Sequence, residues 1–193
     1  YDIEFPLKIN PFLDRNGESC LIFEEYQGQG YSGDFILKTL DISTGITKAK
    51  VYTETSFNAF NSKCYNLDES KSKWICNDGS AKFWGIDTED LSYTLITELS
   101  NSEYYRTDTE IFRAIPNSDD ILIAQNSVNV APNHSVTDSR FEGYKIFNPK
   151  YGTTTTINLK SKTTDVFPVD TKQFIVKTDN NINLYNIDNQ TSE

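Results

Sequence analysis

Four stretches of this chain close on the same short phrase: Thr39-Leu40-Asp41-Ile42-Ser43-Thr44-Gly45, Phe83-Trp84-Gly85-Ile86-Asp87-Thr88-Glu89, Ile146-Phe147-Asn148-Pro149-Lys150-Tyr151-Gly152 and Leu184-Tyr185-Asn186-Ile187-Asp188-Asn189-Gln190. Each reads as the end of a strand, a large apolar residue and a polar turn. Taking Leu40, Trp84, Phe147 and Tyr185 as markers, the phrase recurs after 44, 63 and 38 residues. A period of roughly 40 residues is the signature of a stacked array, and it constrains the fold more than any single motif.

Each phrase ends a longer pattern. In the second unit, Lys73-Trp74-Ile75-Cys76 runs into the turn Asn77-Asp78-Gly79-Ser80 and then Ala81-Lys82-Phe83-Trp84. An Asp-Gly pair between two apolar runs is a strong hairpin signal. The fourth unit repeats this, with Phe174-Ile175-Val176, Thr178-Asp179-Asn180-Asn181 and Ile182-Asn183-Leu184-Tyr185. The first and third units place longer links between the same two strands, at 27–33 and at about Asn126 to Glu142. A further strand precedes each hairpin and another follows the phrase in three units; the chain stops at Glu193, before the fourth unit supplies its own. The expected unit is a four-stranded antiparallel meander, at about residues 10–53, 63–99, 110–160 and 165–193, with a strand in 1–9 available to complete a unit. The fold class is therefore all-β, and four strands in roughly 40–45 residues match one propeller blade.

Composition agrees. Aromatic residues make up 13% of the 193 positions, Met is absent, and Tyr, Phe, Ile and Thr are plentiful, which favours strands over disorder. The net charge of -10 disfavours phosphate neutralisation, so no nucleic acid is expected as partner, while a basic protein partner suits this balance. No stretch approaches the roughly 18 consecutive apolar residues of a membrane-spanning helix. Cys20, Cys64 and Cys76 form no CxxC pair and read by default as buried free thiols, with one disulfide plus one free thiol as the secreted alternative. An intracellular location, cytoplasmic or nuclear, is favoured on this reading. The start at Tyr1 fits a processed or excised piece of a larger propeller.

The run from Ile75 to Thr88, above all Asp78-Gly79 followed by a strand with Trp84, resembles a divergent WD-repeat β-propeller blade. The resemblance implies a propeller and gives Asp78 and Asp179 structural hairpin roles. The family's Asp after Trp is Gly85 here, and the single histidine, His134, stands in a link, so the family's His–Asp network does not carry over. Peptidase-associated and Tol-type propellers share the looser pattern.

Catalytic motifs are lacking. The acid pairs Glu24-Glu25, Glu89-Asp90 and Asp119-Asp120 read as strand or turn residues, since neighbours on a strand point to opposite faces. Gly28-Gln29-Gly30-Tyr31-Ser32-Gly33 lacks the Lys-Ser/Thr of a phosphate loop, and no cofactor or metal is expected. The long links 27–33 and 126–142, with the connections at 53–62 and 98–110, would share one face of a propeller. That face would carry Tyr26, Tyr31, Phe57, Phe60, Tyr104, Tyr105, Arg106, His134, Arg140 and Phe141; Tyr31, Tyr104, Tyr105, Arg106, His134, Arg140 and Phe141 are the candidate partner-binding residues. Aromatic and arginine side chains anchor interfaces, and long loops on rigid scaffolds carry function. The leading expectation is a non-catalytic scaffold for protein–protein contacts in a larger assembly, including association with the remainder of a propeller. The alternatives are an accessory propeller of a peptidase or hydrolase and a secreted glycan-binding small propeller.

Overall fold

The structure is a computed structural model that describes residues 8–25, 34–53, 55–67, 72–99, 105–130, 136–159, 163–188 and 191–192. Its strands form four antiparallel sheets, each a meander in chain order. The first holds β1 (Ile9–Leu13), β2 (Ser19–Glu25), β3 (Phe35–Asp41) and β4 (Thr47–Tyr52). The second holds β5 (Lys63–Asn66), β6 (Lys73–Asn77), β7 (Lys82–Asp87) and β8 (Ser92–Glu98). The third holds β9 (Tyr105–Ala114), β10 (Ile121–Val130), β11 (Val136–Asn148) and β12 (Thr153–Ile157). The fourth holds β13 (Thr163–Pro168), β14 (Gln173–Thr178), β15 (Ile182–Asn186) and β16 (Thr191–Ser192). The helical content among the described residues is a single 3-10 turn, Ala59–Asn61.

The repeated phrase is a capped turn. At the end of each third strand an Asx side chain accepts a backbone N–H from the turn: Asp41 from Thr44 at 2.9 Å, Asp87 from Glu89 at 3.0 Å, Asn148 from Tyr151 at 3.2 Å and Asn186 from Asp188 at 2.9 Å. Such side-chain caps are why Asp and Asn stop strands at turns. In three sheets the next N–H reaches back to the carbonyl just before the second strand: Ile42 to Glu18, Thr88 to Ser72 and Ile187 to Lys172, at 2.8–2.9 Å. The equivalent positions are thus Asp41, Asp87, Asn148 and Asn186. The large residue before the cap is Leu40, Ile86, Phe147 or Tyr185, and Trp84, the marker expected from sequence, lies two residues too early. The first β-turn is held likewise: the Asp14 carboxylate accepts from the N–H groups of Asn16, Glu18 and Ser19 and from the Ser19 hydroxyl at 2.7–3.1 Å.

Other expectations need correction. Residues 126–130 and 136–142 are strand rather than loop, since β10 and β11 continue through them. Residues 105–110, placed in a connection, begin β9. Backbone pairing with β9 and β11 on both sides holds the polar stretch Gln125-Asn126-Ser127 in the ladder, where no apolar alternation marks it. The fourth unit does have a fourth strand, β16, paired through Tyr185–Ser192 and Asn186–Thr191. Cys64 and Cys76 face each other across β5 and β6 and form a disulfide, and only Cys20 among the three remains a thiol. Direct cross-strand opposition places their Cα atoms 4.2 Å apart, close enough to bridge, which linear spacing does not reveal.

The chain divides into two compact units, Tyr1–Leu95 and Ile96–Glu193. In the first, Leu21, Phe23, Phe35 and Leu37 of the first sheet pack with Trp74, Cys76, Trp84 and Ile86 of the second. Phe57, from the connection between them, sits in the middle, with its ring 5.4 Å from Phe23, 5.4 Å from Trp84 and 5.7 Å from Phe35. Asn10 Nδ2 donates to the carbonyls of Ala59 and Ser62, and Arg15 Nε to that of Asn66. In the second unit, Leu122, Ala124 and Tyr144 pack with Val166, Phe174, Val176 and Tyr185. Arg113 of β9 closes that contact: it donates to the Asp165 carboxylate at 2.7 Å and the Val166 carbonyl at 2.5 Å, and lies 4.2 Å over the Phe167 ring.

Two outcomes follow. Phe57→Ala lowers stability by about 3–5 kcal/mol, because a buried ring leaves a cavity, while Phe141→Ala, half exposed, changes it by less than about 1 kcal/mol; urea denaturation measures both. Thiol titration of the unfolded, unreduced chain finds the one cysteine Cys20, and reduction raises the count to all three.

Candidate functional site

The first two sheets leave a cavity of about 370 Å³ at the strand ends that carry the β1–β2 and β3–β4 turns. Its inner wall is apolar, from Leu21, Leu40 and the buried Trp74. Its rim is polar, from Thr39, Asp41, Thr44, Lys48, Ser72, Thr88 and Glu89. The capped turns build this rim. Asp41 ends β3 and takes the Ser43 hydroxyl at 2.7 Å and the Thr44 N–H at 2.9 Å. Gly45, at φ +70°, lets the chain turn back into β4, so Lys48 stands over the opening and donates to the Glu89 carbonyl at 3.4 Å. From the second sheet, Thr88 gives both its N–H and its hydroxyl to the Ser72 carbonyl at 2.8 and 3.3 Å.

The charges on this rim are set by hydrogen bonds. The Ser43 hydroxyl first, and the Thr44 donors next, hold the Asp41 carboxyl down at about 2. Asp87, behind the rim, is lowered chiefly by Lys73. Burial pushes the Cys20 thiol up, so at neutral pH it stays protonated and is a poor nucleophile. The cavity therefore offers an ionised carboxylate, an ammonium group and hydroxyl-bearing side chains around an apolar floor. That set can hydrogen-bond and orient a polar ligand. Among the described residues no group of three or more His, Cys, Asp or Glu gathers as a metal site would require.

The candidate residues read from sequence fall elsewhere. Tyr31, Tyr104 and His134 lie outside the described residues, as do Tyr26 and the link 27–33. Tyr105 and Arg106 open β9, and Arg140 and Phe141 lie on β11 opposite Ser127 and Asn126. Phe141 is 50% exposed and meets Tyr144 edge-on at 5.1 Å. Phe57 is a core residue instead of a surface anchor, and Phe60 is partly buried against the same cluster. The acid pairs serve structure: Glu24 pairs with Lys38, Asp90 accepts from the Ser92 N–H and Asp120 from Asn148 Nδ2. The Thr153–Thr156 run lies exposed on β12. Sequence reasoning looked to the strand ends with the long links and missed the cavity at the other ends. Its signal was present in the repeated phrase, whose residues Asp41, Thr44, Thr88 and Glu89 line it.

No family model and no curated protein sequence matches the chain. Solved structures do. An oligogalacturonate lyase in complex with manganese is 14% identical, with a TM-score of 0.58 over 98% of this chain and 59% of that one. The oligogalacturonate lyase of Vibrio parahaemolyticus is 13% identical, with a TM-score of 0.57 over the same shares. Dipeptidyl peptidase 4 of Porphyromonas gingivalis is 8% identical, with a TM-score of 0.55 over 99% of this chain and 33% of that one. This chain thus spans about three fifths of the lyases it matches and a third of the peptidase. With four four-stranded meanders, the fold class is all-β with β-propeller blades. The comparisons also correct the expectation of a protein–protein scaffold. The solved structures compared above are two lyases and a peptidase, and none of them is described as a scaffold.

The depressed Asp41 value makes the rim acid-sensitive. A carboxyl held at about 2 in the folded chain against an ordinary 3.8 adds stability that is complete above the higher value and is lost as pH falls through the lower. Asp41→Ala removes that dependence, so its urea midpoint falls less than the parent's between about pH 5 and pH 2.

Proposed function

We propose that this chain is an accessory propeller section of a peptide- or carbohydrate-processing enzyme, one that holds substrate while the reacting groups lie elsewhere. The observation that carries this is the likeness of nearly the whole chain to part of an oligogalacturonate lyase and part of a dipeptidyl peptidase, whose remaining length lies beyond what it matches. The composition of the first-unit cavity supports a holding role. Asp41, Lys48 and the Thr39, Thr44 and Thr88 side chains at its rim are hydrogen-bonding groups, and its one thiol is kept protonated by burial. Concave sites with an apolar floor and a few placed polar groups are the usual form of small-ligand sites. The Cys64–Cys76 bond supports an oxidising compartment over the intracellular setting expected from composition.

The test titrates the chain with oligogalacturonate and with chromogenic dipeptidyl substrates, following tryptophan emission, because Trp74 lines the cavity. Saturable binding of one class without turnover is expected, weakened at least about tenfold in Lys48→Ala, the loss of one charged hydrogen bond. Turnover by the chain alone would place catalysis inside it and overturn the accessory role. Binding of neither class overturns substrate holding.

A further inference from the structure

Lys38 and Arg113 are part-buried cations held by carboxylates, those of Glu24 and Asp165. Lys145 of β11 is held differently. Its ammonium is part-buried and donates to Oε1 of Gln125 at 3.2 Å, and among the described residues no carboxylate pairs with it. Gln125, on β10, has 0% exposure, and its Nε2 meets no acceptor among the described residues. The amide cannot be turned over to cure this. An ammonium only donates, so it selects Oε1 and leaves Nε2 pointing away from it. A buried N–H donor without an acceptor carries an uncompensated desolvation penalty, and a cation drawn out of water without a counter-charge carries another. One acceptor bearing negative charge relieves both.

The sheet leaves room for it. Register shifts between Ala124 and Gln125 towards β9, and between Gln125 and Asn126 towards β11, interrupt the ladder on both sides of Gln125. Gly143 stands opposite Gln125 on β11, and a Cβ added there would meet nothing within 4 Å. Thr109 stands opposite it on β9, and Ser127 follows two residues along β10 on the same face, both of them buried and hydroxyl-bearing. Gly143 and Lys145 are part-exposed, which keeps the ammonium within reach of solutes. Bulges beside a sheet's functional groups commonly re-aim a side chain.

We propose that Lys145 and Gln125 form a binding site for a small carboxylate, one oxygen accepting from the Lys145 ammonium and the other from Gln125 Nε2. Two neighbouring donors, one of them charged, match the two oxygens of that group. A sugar acid and a peptide C-terminus both present it. None of these residues lines the first-unit cavity, so the inference stands apart from the substrate-holding role given to that cavity.

Ligand-observed saturation-transfer NMR on the full chain tests it, with acetate as the probe and sodium chloride holding the ionic strength constant. Saturable acetate binding is expected, weakened at least about tenfold in Lys145→Met, which removes the charged donor. Gln125→Glu has the shape of the parent side chain and places a carboxylate against Lys145 from within, so it abolishes acetate binding. Near-UV circular dichroism checks that each variant keeps the fold. Galacturonate and N-acetylglycine are the sugar-acid and peptide arms, and the tighter binder names the source. No saturable acetate binding, which leaves Gln125 Nε2 to a buried water, overturns the proposal. So does binding that an equal concentration of chloride removes, or binding unchanged in the two variants.

Discussion

A meander of four short strands cannot stand alone, because one sheet of five-residue strands buries too little apolar surface to offset its ordering entropy. In this chain the remedy is sheet-on-sheet contact. Leu21, Phe23, Phe35 and Leu37 have 0% exposure only because the second sheet lies over them, and Phe174 and Val166 are buried in the same way in the second unit. The capped turns follow from this requirement. Successive sheets can stack only if each ends at the same level, and the Asx caps at Asp41, Asp87, Asn148 and Asn186 end the third strands where the pleat needs them. The wedge residues do the rest: Phe57 between the first two sheets, Arg113 over Phe167 between the last two.

The architecture was largely legible in the sequence because it is carried by short-range chemistry. Asp78-Gly79 turns, Asx strand ends and apolar pairs two residues apart all act within a few positions, so four meanders could be read directly. What stayed hidden depends on contacts across strands. Trp84 resembles a strand end by type, but the strand continues to Asp87 because its backbone is paired with β6 as far as Lys73. Gln125 to Asn129 looks like loop by composition, yet neighbours on both sides hold it in the ladder. Cys64 and Cys76 are twelve residues apart, and only the β5–β6 register brings them opposite. The candidate site was missed for a related reason. The eye goes to long links with exposed aromatics, while the cavity is made by turn residues whose first task is to end strands.

The functional reading shifts accordingly. The proposed holding role rests on the rim groups of the cavity: a carboxylate kept ionised, an ammonium and hydroxyl-bearing side chains over a tryptophan wall. These groups are dual-purpose. Asp41 caps a turn and borders the cavity, so the rim is as ordered as the turn that makes it.

The third sheet carries one more device. Its ladder slips twice at the same level, between Ala124 and Gln125 towards β9 and between Gln125 and Asn126 towards β11, so that Glu110 and Glu142 have no residue opposite them in the register, with Gly143 at φ +100°. Bulges bend strands and raise their twist. Two aligned on either side of one central strand form a crease across the sheet, and Thr109, Ser127 and Val128 stay buried past it. Past the crease the pleat still holds, so a one-residue insertion in any of the three strands there turns every later side chain of that strand to the opposite face.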